Sequence, residues 1–490
     1  MADMSSRRSL SLVLVLPLAA CGDDTNTSAS ASAGSTTQNP TTGTPTTGAT
    51  EQPTTASPTS DPSGSGSDTQ GQTTADTTTT GTTGTTGTTG DATTDPVVST
   101  GTTGDASTTT GTTTGNNTTQ GNDTDCGGGD VAFSHIWISN SPEGTVSKID
   151  TATLQEVGRY RTGPDFADPS RTSVNLKGDV AVVNRDGSIT KIGAVSDNCK
   201  EKNGQPGIQT SQGKNDVLAW GSDECVLWNT PLMPASRPAA WTSGEKVDPE
   251  NPCSELVDEK VWTSAPQGGD AWVYLLNGET GAIENQVLVP GANGGLGIYG
   301  GAVDSNNDFW GVTYSQGPLV HVRYDNFEAE TIALPGFSGG AYGFTVDSKG
   351  RSWVGGWDGS LIRYDPADKS WVKVDIPAQY PVLSRGMMED TNGDLWAAAL
   401  FPPNGLLRVD TDTATFVEFI GPETLVGVET PTGASIDVQG KVWLVDQSKD
   451  GGGTFVYDPV AKSAQWLGGL NGPYTYSDMT GFALKNVIPM

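Results

Sequence analysis

One unit, written seven times with variation, limits what this chain can become. Its clearest copy runs from Asp347 to Pro366, DSKGRSWVGGWDGSLIRYDP. Asp347 and Gly350 make a turn, because Asp bonds its own backbone and Gly tolerates positive φ. Trp353 and Val354 open a strand, Asp358-Gly359 is a hairpin signal, and Leu361-Ile362-Arg363-Tyr364 supplies the next strand. So small a unit cannot bury its apolar face alone and needs copies of itself.

The copies are present. Trp137, Trp262, Trp310, Trp353, Trp396 and Trp443 occupy one repeat position, and Ala181 fills the remaining slot. Spacings between ordinary neighbours run from 43 to 48 residues, the period of a propeller blade. The turn before the Trp recurs at Asp304, Asp347, Asp390 and Asp437, and the later strand recurs as VSKID, ITKIG, LVHVRYD, LIRYD, LLRVD and FVYD. The pattern predicts an all-β chain folded as a seven-bladed β-propeller.

Two irregularities carry further expectations. The first copy, FSHIWISN at Phe133–Asn140, lacks an inner strand, whereas Thr480-Gly-Phe-Ala-Leu484 matches the inner strand Tyr342-Gly-Phe-Thr-Val346 and has nothing after it. Residues 479–485 are therefore expected to close blade 1 with the C-terminal end of the chain, removing an exposed edge. The second irregularity is an insertion over about residues 193–259, comprising material near Cys199–Ala235 and an expanded hairpin at Thr242–Glu259 inside blade 3.

The propeller region, 126–490, follows two segments of other character. Arg7 and Arg8 precede an apolar run from Leu10 to Ala20 that ends in Leu18-Ala19-Ala20-Cys21. The run is short for a membrane span and matches the apolar region of a secretory signal. Residues 1–20 thus read as a lipoprotein signal peptide, with Cys21 as the lipidated residue. Residues 21–125 are nearly all Thr, Gly, Ser, Asp, Pro, Asn and Ala, a composition that cannot offset ordering entropy and reads as a disordered tether. The expected location is the cell envelope, on the outer membrane or cell surface, with the lipid-anchored end in the membrane.

Of the five Cys, Cys21 is assigned to the lipid, leaving Cys126, Cys199, Cys225 and Cys253. An even number in an exported chain implies disulfides. Cys199–Cys225 with Cys126–Cys253 is the expected pairing. The net charge of −30 remains −20 after residue 125 is passed, which argues against nucleic acid as a partner.

The repeat register also names one residue per blade at the start of the inner strand, where a propeller lines its channel. These are Arg171, Arg237, Tyr299, Tyr342, Arg385, Thr432 and Thr480. Arginine offers a planar fork for carboxylate or phosphate, and Tyr can stack or donate. The set is a candidate site for a small anionic ligand, a glycan or a protein. The competing reading makes each arginine internal glue that caps carbonyls or pairs with an Asp.

No metal or other cofactor is assigned from sequence. A divalent cation, calcium or magnesium, is the one class with candidates. Asp304, Asn306 and Asp308, and likewise Asp390, Asn392 and Asp394, place oxygens at alternate positions as a calcium loop does. Both coincide with the repeated turn, whose chemistry explains them first. Glu201, Asn203 and Gln205 form a weaker version in the insertion. Catalysis has little material: His135 and His321 are the two histidines, without an evident nucleophile beside either.

The repeated Asp-x-x-Gly-x-x-Trp followed by Arg-Tyr-Asp, best carried by Asp168–Ile192 and by the opening stretch, resembles the propellers of the virginiamycin B (streptogramin) lyase group and, more broadly, YncE-like and SMP-30-like propellers. The resemblance implies the seven-bladed fold. It also implies, for the lyases, ring opening by a channel His with a carboxylate-held magnesium ion. This chain has no His in an inner strand and lacks the Trp-Phe-Thr-Glu blade pattern, so no catalytic residue carries over. The lipobox and tether resemble those of myxobacterial surface lipoproteins. A tethered binding propeller is the expected function, with a metal-dependent lyase or lactone hydrolase in the channel as the alternative.

Overall fold

The computed structural model describes residues 134–251, 254, 256–336 and 340–487. The expected signal peptide, Cys21, the expected tether, and the expected Cys126–Cys253 pair lie outside these residues.

Seven antiparallel sheets follow one another along the chain. Blade 1 is three-stranded, from His135–Asn140, Thr145–Asp150 and Gln155–Arg161. The other six are four-stranded, with inner strands at Pro169–Val174, Ala239–Trp241, Ile298–Val303, Ala341–Val346, Leu383–Glu389 and Pro431–Ile436. Each blade runs outward in chain order, except that blade 2 reaches its outer strand, Val226–Pro231, only after a long excursion. Burial falls in the same direction. Every residue of Ala341–Val346 is buried, whereas the outer strand Thr415–Ile420 alternates exposed and half-buried positions.

The repeated Trp lies in the second strand of its blade, as the sequence predicts, and the repeated Asp is its partner. In blades 4 to 7 the indole Nε1 of Trp310, Trp353, Trp396 and Trp443 donates to Oδ2 of Asp304, Asp347, Asp390 and Asp437, at 3.0, 2.9, 2.9 and 2.8 Å. The other oxygen accepts backbone amides of the turn, as Asp390 Oδ1 does from Asn392 and Asp394 at 2.8 and 3.1 Å. One carboxylate therefore shapes the hairpin and satisfies the indole it buries.

The C-terminal segment closes the ring, though not in the expected register. The amide of Tyr474 donates to Ser139 O and that of Trp137 to Met479 O, at 3.0 and 2.9 Å, and Asn140 bridges Pro473. Residues 473–479 thus run beside the first strand of blade 1. Residues 479–485 do not form that strand: Phe482–Val487 is a helix. The cause is local. Asp478 Oδ1 accepts the amides of Thr480 and Gly481 at 3.1 and 2.8 Å, as a helix cap does, and Gly481 turns the chain with φ +81. The helix buries Phe482, Leu484 and Val487.

The insertion also differs from its expected outline. Val226–Pro231 belongs to blade 2, so the excursion ends there, and the second part is the small hairpin Glu245–Lys246 with Leu256–Val257 in blade 3. Cys199 and Cys225 are disulfide-bonded, with Cα atoms 4.3 Å apart. Asp223 and Glu224, both buried, hold the intervening loop by accepting the amides of Ser211, Lys202 and Gln209 at 2.9, 2.9 and 2.7 Å.

Candidate functional site

Because the strands alternate in direction, the starts of the inner strands share one end of the propeller with the loops joining second to third strands. The excursion of blade 2 and the hairpin of blade 3 belong to the opposite end.

Five of the seven register residues converge at that first end. Arg171, Arg237, Tyr299, Tyr342 and Arg385 are buried, and two tyrosines of the closing segment, Tyr474 and Tyr476, join them. The four phenol oxygens form a network: Tyr299 to Tyr342 at 3.0 Å, and 2.8 Å for Tyr299–Tyr474, Tyr342–Tyr474 and Tyr342–Tyr476. Arg385 donates through Nη1 to Pro431 O at 2.9 Å, and through Nη2 to the hydroxyls of Tyr342, at 3.2 Å, and Tyr476. Arg171 donates to Tyr299 O from both Nε and Nη2 at 3.2 Å, and its guanidinium lies 4.1 Å from the Tyr476 ring centroid. Arg237 lies 4.8 Å from the Tyr299 ring.

The channel is thus filled at this end by side chains bonded to one another. Arg171 donates to a carbonyl, and Arg385 to a carbonyl and two phenols, so both side chains are engaged within the ring. Thr432 is buried nearby with its hydroxyl on Val445 O at 3.3 Å. Thr480 is elsewhere: its hydroxyl donates to Ile436 O at 2.6 Å, at the far end of the inner strand. Its place in the ring is taken by Tyr474 and Tyr476, which sequence matching missed because TGFAL copies the inner-strand pattern while PYTY does not. Deeper in the channel a cavity of about 30 Å³ lies between the inner strands and the C-terminal helix, beside Asp478. That is room for about one water molecule. Burial raises the Asp478 carboxyl to about 6.

Above the plug stands a feature the register did not mark. Tyr314, Trp357 and Phe401 each follow the second strand of blades 4, 5 and 6. The Tyr314 ring is 5.2 Å from Tyr299, Trp357 meets Tyr342 edge-on at 5.0 Å, and Phe401 is 6.1 Å from Trp357. Phe401 is 37% exposed with φ +83, a conformation that costs a bulky residue strain. The signal was available: an aromatic residue four or five positions after the blade Trp in three successive blades. Asp358 follows Trp357 and is exposed, and the exposed Glu429 accepts Asn404 Nδ2 on its carbonyl at 2.7 Å.

The metal candidates resolve into bonded turns. Asp304, Asp308 and His321 have potential ligand atoms within 4.8 Å of one another, but these atoms are engaged. Asp304 serves its turn and Trp310; Asp308 Oδ1 accepts the Tyr324 amide at 2.8 Å; His321 Nε2 and Nδ1 meet Asp308 and Glu330 at 3.0 and 2.9 Å. Blade 6 repeats the arrangement with arginine: Arg408 bonds Asp394 and Glu418 at 2.6 and 2.8 Å. His321 stacks 4.0 Å over Trp310, as Arg408 lies 5.2 Å over Trp396. His321 therefore fits as an imidazolium. Burial opposes its charge, yet the bonds to Asp308 and Glu330 leave its pKa raised. In the insertion, Glu201 Oε1 accepts the amides of Asn203 and Gly204 at 2.7 and 2.5 Å, which is turn chemistry. His135, in the first strand of blade 1 beside Lys148 and Asp150, is drawn down to about 4, chiefly by burial.

No protein-family model matches the chain, and no curated protein matches it. Among solved structures it is similar to a streptogramin B lyase, at 15% identity and TM-score 0.43, over 63% of this chain and 86% of that one. The virginiamycin B lyase of Staphylococcus aureus is similar at 14% identity and TM-score 0.43, over 63% and 87%. A functionally unknown protein from Desulfotomaculum acetoxidans gives 11% identity and TM-score 0.47, over 70% and 99%.

Proposed function

We propose that this is an exported, lipid-anchored binding propeller that takes a glycan at the loop end of its channel. The observation that carries the reading is the arc Tyr314–Trp357–Phe401, which holds aromatic surface, including the strained and exposed Phe401, over a rigid base. Ring faces suit the apolar face of a sugar, and the exposed carboxylate of Asp358, next to Trp357 in the chain, suits its hydroxyls. The Cys199–Cys225 disulfide supports an oxidising compartment. Among the described residues no helix is long and apolar enough to cross a membrane; the anchor in this reading is Cys21. The lyase alternative draws no support from the channel, whose positions are committed to an arginine–tyrosine network, while both histidines lie in other strands.

Detergent-solubilised full-length protein, immobilised and offered isolated envelope polysaccharides, is expected to retain one of them. Trp357→Ala is expected to weaken that retention about tenfold, the equivalent of one lost ring contact. Undiminished retention by both Trp357→Ala and Phe401→Ala would refute the site.

A further inference from the structure

The channel plug raises a charge problem. Arg171 and Arg385 are 1% and 3% exposed, and among the described residues neither meets a carboxylate at ion-pair distance. Burying a guanidinium without a counter-charge is expensive. The carboxylate of Asp168 is engaged with Arg185, which lies over the Tyr474 ring.

The hub of the phenol network is Tyr342. Its oxygen lies within hydrogen-bond distance of Tyr299, Tyr474, Tyr476 and Arg385. A neutral phenol has one proton to give and limited room to accept, so four neighbours, one of them a cation, suit an oxygen that bears negative charge. The groups come from separate elements: Tyr299 from blade 4, Arg385 from blade 6, and Tyr474 and Tyr476 from the closing segment. Arg171 and Arg237 add positive charge over the Tyr299 ring, and Arg171 also over that of Tyr476.

We infer that Tyr342 is a proton-linked lock on the channel: on ionising, its phenolate becomes the counter-charge of Arg385 and ties together blades 4, 5 and 6 and the C-terminal segment that closes the ring. The step is a simple dissociation. The phenolic O–H bond breaks, the proton leaves to water, and the electron pair stays on the Tyr342 oxygen. Burial opposes the charge, but Arg385 and the three neighbouring hydroxyls bring Tyr342 down to about 8, while Tyr299 and Tyr476 are pushed well above the ordinary value by burial. The sign follows. A pKa lowered from 10.0 to about 8 adds stability that is complete above 10 and lost as pH falls through 8. The lock tightens as the medium becomes alkaline.

Ultraviolet titration of full-length wild-type protein is expected to show one tyrosine ionising near pH 8, ahead of the rest, and Tyr342→Phe is expected to lack that step. An early step that persists in Tyr342→Phe would overturn the assignment. Should that variant not fold, wild-type protein carrying labelled tyrosine ring carbons decides the matter by nuclear magnetic resonance. One of the 11 tyrosines must then titrate well below 10, and none doing so refutes the lock. Arg385→Lys is expected to move the early step upward, because a lysine ammonium lacks the fork that reaches two phenols and a carbonyl.

Discussion

The plug and the arc are neighbours of opposite character. The plug is built from residues at the repeat register, is buried, and has its polar atoms turned on one another. The arc is built from loop residues one step beyond the register, and it leaves Phe401 exposed at a positive φ. Residues at the inner-strand starts meet one another across the closed ring and must fill it together, so charge found there serves the ring. A position that blades 4, 5 and 6 fill with aromatics, and blade 7 fills with Gln447, is free of that demand. Function in a repeat protein is better sought in the second kind of position.

The largest effect should come from the plug. Tyr299→Ala removes a fully buried ring together with bonds to Tyr342 and Tyr474, and a loss of about 3–5 kcal/mol is expected in denaturant unfolding. A loss below about 1 kcal/mol would mean the plug is ornamental.

A smaller effect tests whether charges of the third strands also belong to the scaffold. Blade 4 uses His321 where blade 6 uses Arg408. A raised histidine pKa contributes stability that is full below the ordinary 6.5 and disappears as pH rises through the higher folded value. His135 and Asp478, near 4 and 6, have largely completed their changes below that window. Stability should therefore fall as pH rises from 6.5 toward 8 in the wild type, before the Tyr342 phenolate begins to act with the opposite sign, and His321→Arg should remove that fall by making blade 4 resemble blade 6. An unchanged slope would return His321 to the list of possible metal ligands.

The smallest effect belongs to the arc. Phe401→Asn loses one ring contact but relieves a strained φ, since Asn tolerates the left-handed region. Stability should stay within about 0.5 kcal/mol of the wild type, with glycan retention reduced.

The ring of blades was legible because turn, Trp and strand repeat together, and Asp304, Asp347, Asp390 and Asp437 proved to bond the indoles they precede. The direction of the arginines was not. Arg171 and Arg385 read from sequence as ligand forks or as internal caps, and Tyr476, which both of them meet, arrives from a distant segment that no local pattern links to them. That segment was misread because a local match, TGFAL, outweighed a tertiary fact: Asp478 and Gly481 turn the same residues into a helix. The arc lay in plain view at a constant offset from the blade Trp, and was passed over because it falls outside the repeated strands.

The central claim is that register residues hold the ring while the loop aromatics form its surface. Equilibrium unfolding of Arg385→Ala and Trp357→Ala, side by side at one pH, tests it most directly. The account expects Arg385→Ala to lose about 3 kcal/mol or more, since it strips donors from Pro431, Tyr342 and Tyr476 at once, and Trp357→Ala to lose no more than about 1.5 kcal/mol. The reverse order, with Arg385→Ala tolerated and Trp357→Ala unfolding the protein, would contradict it.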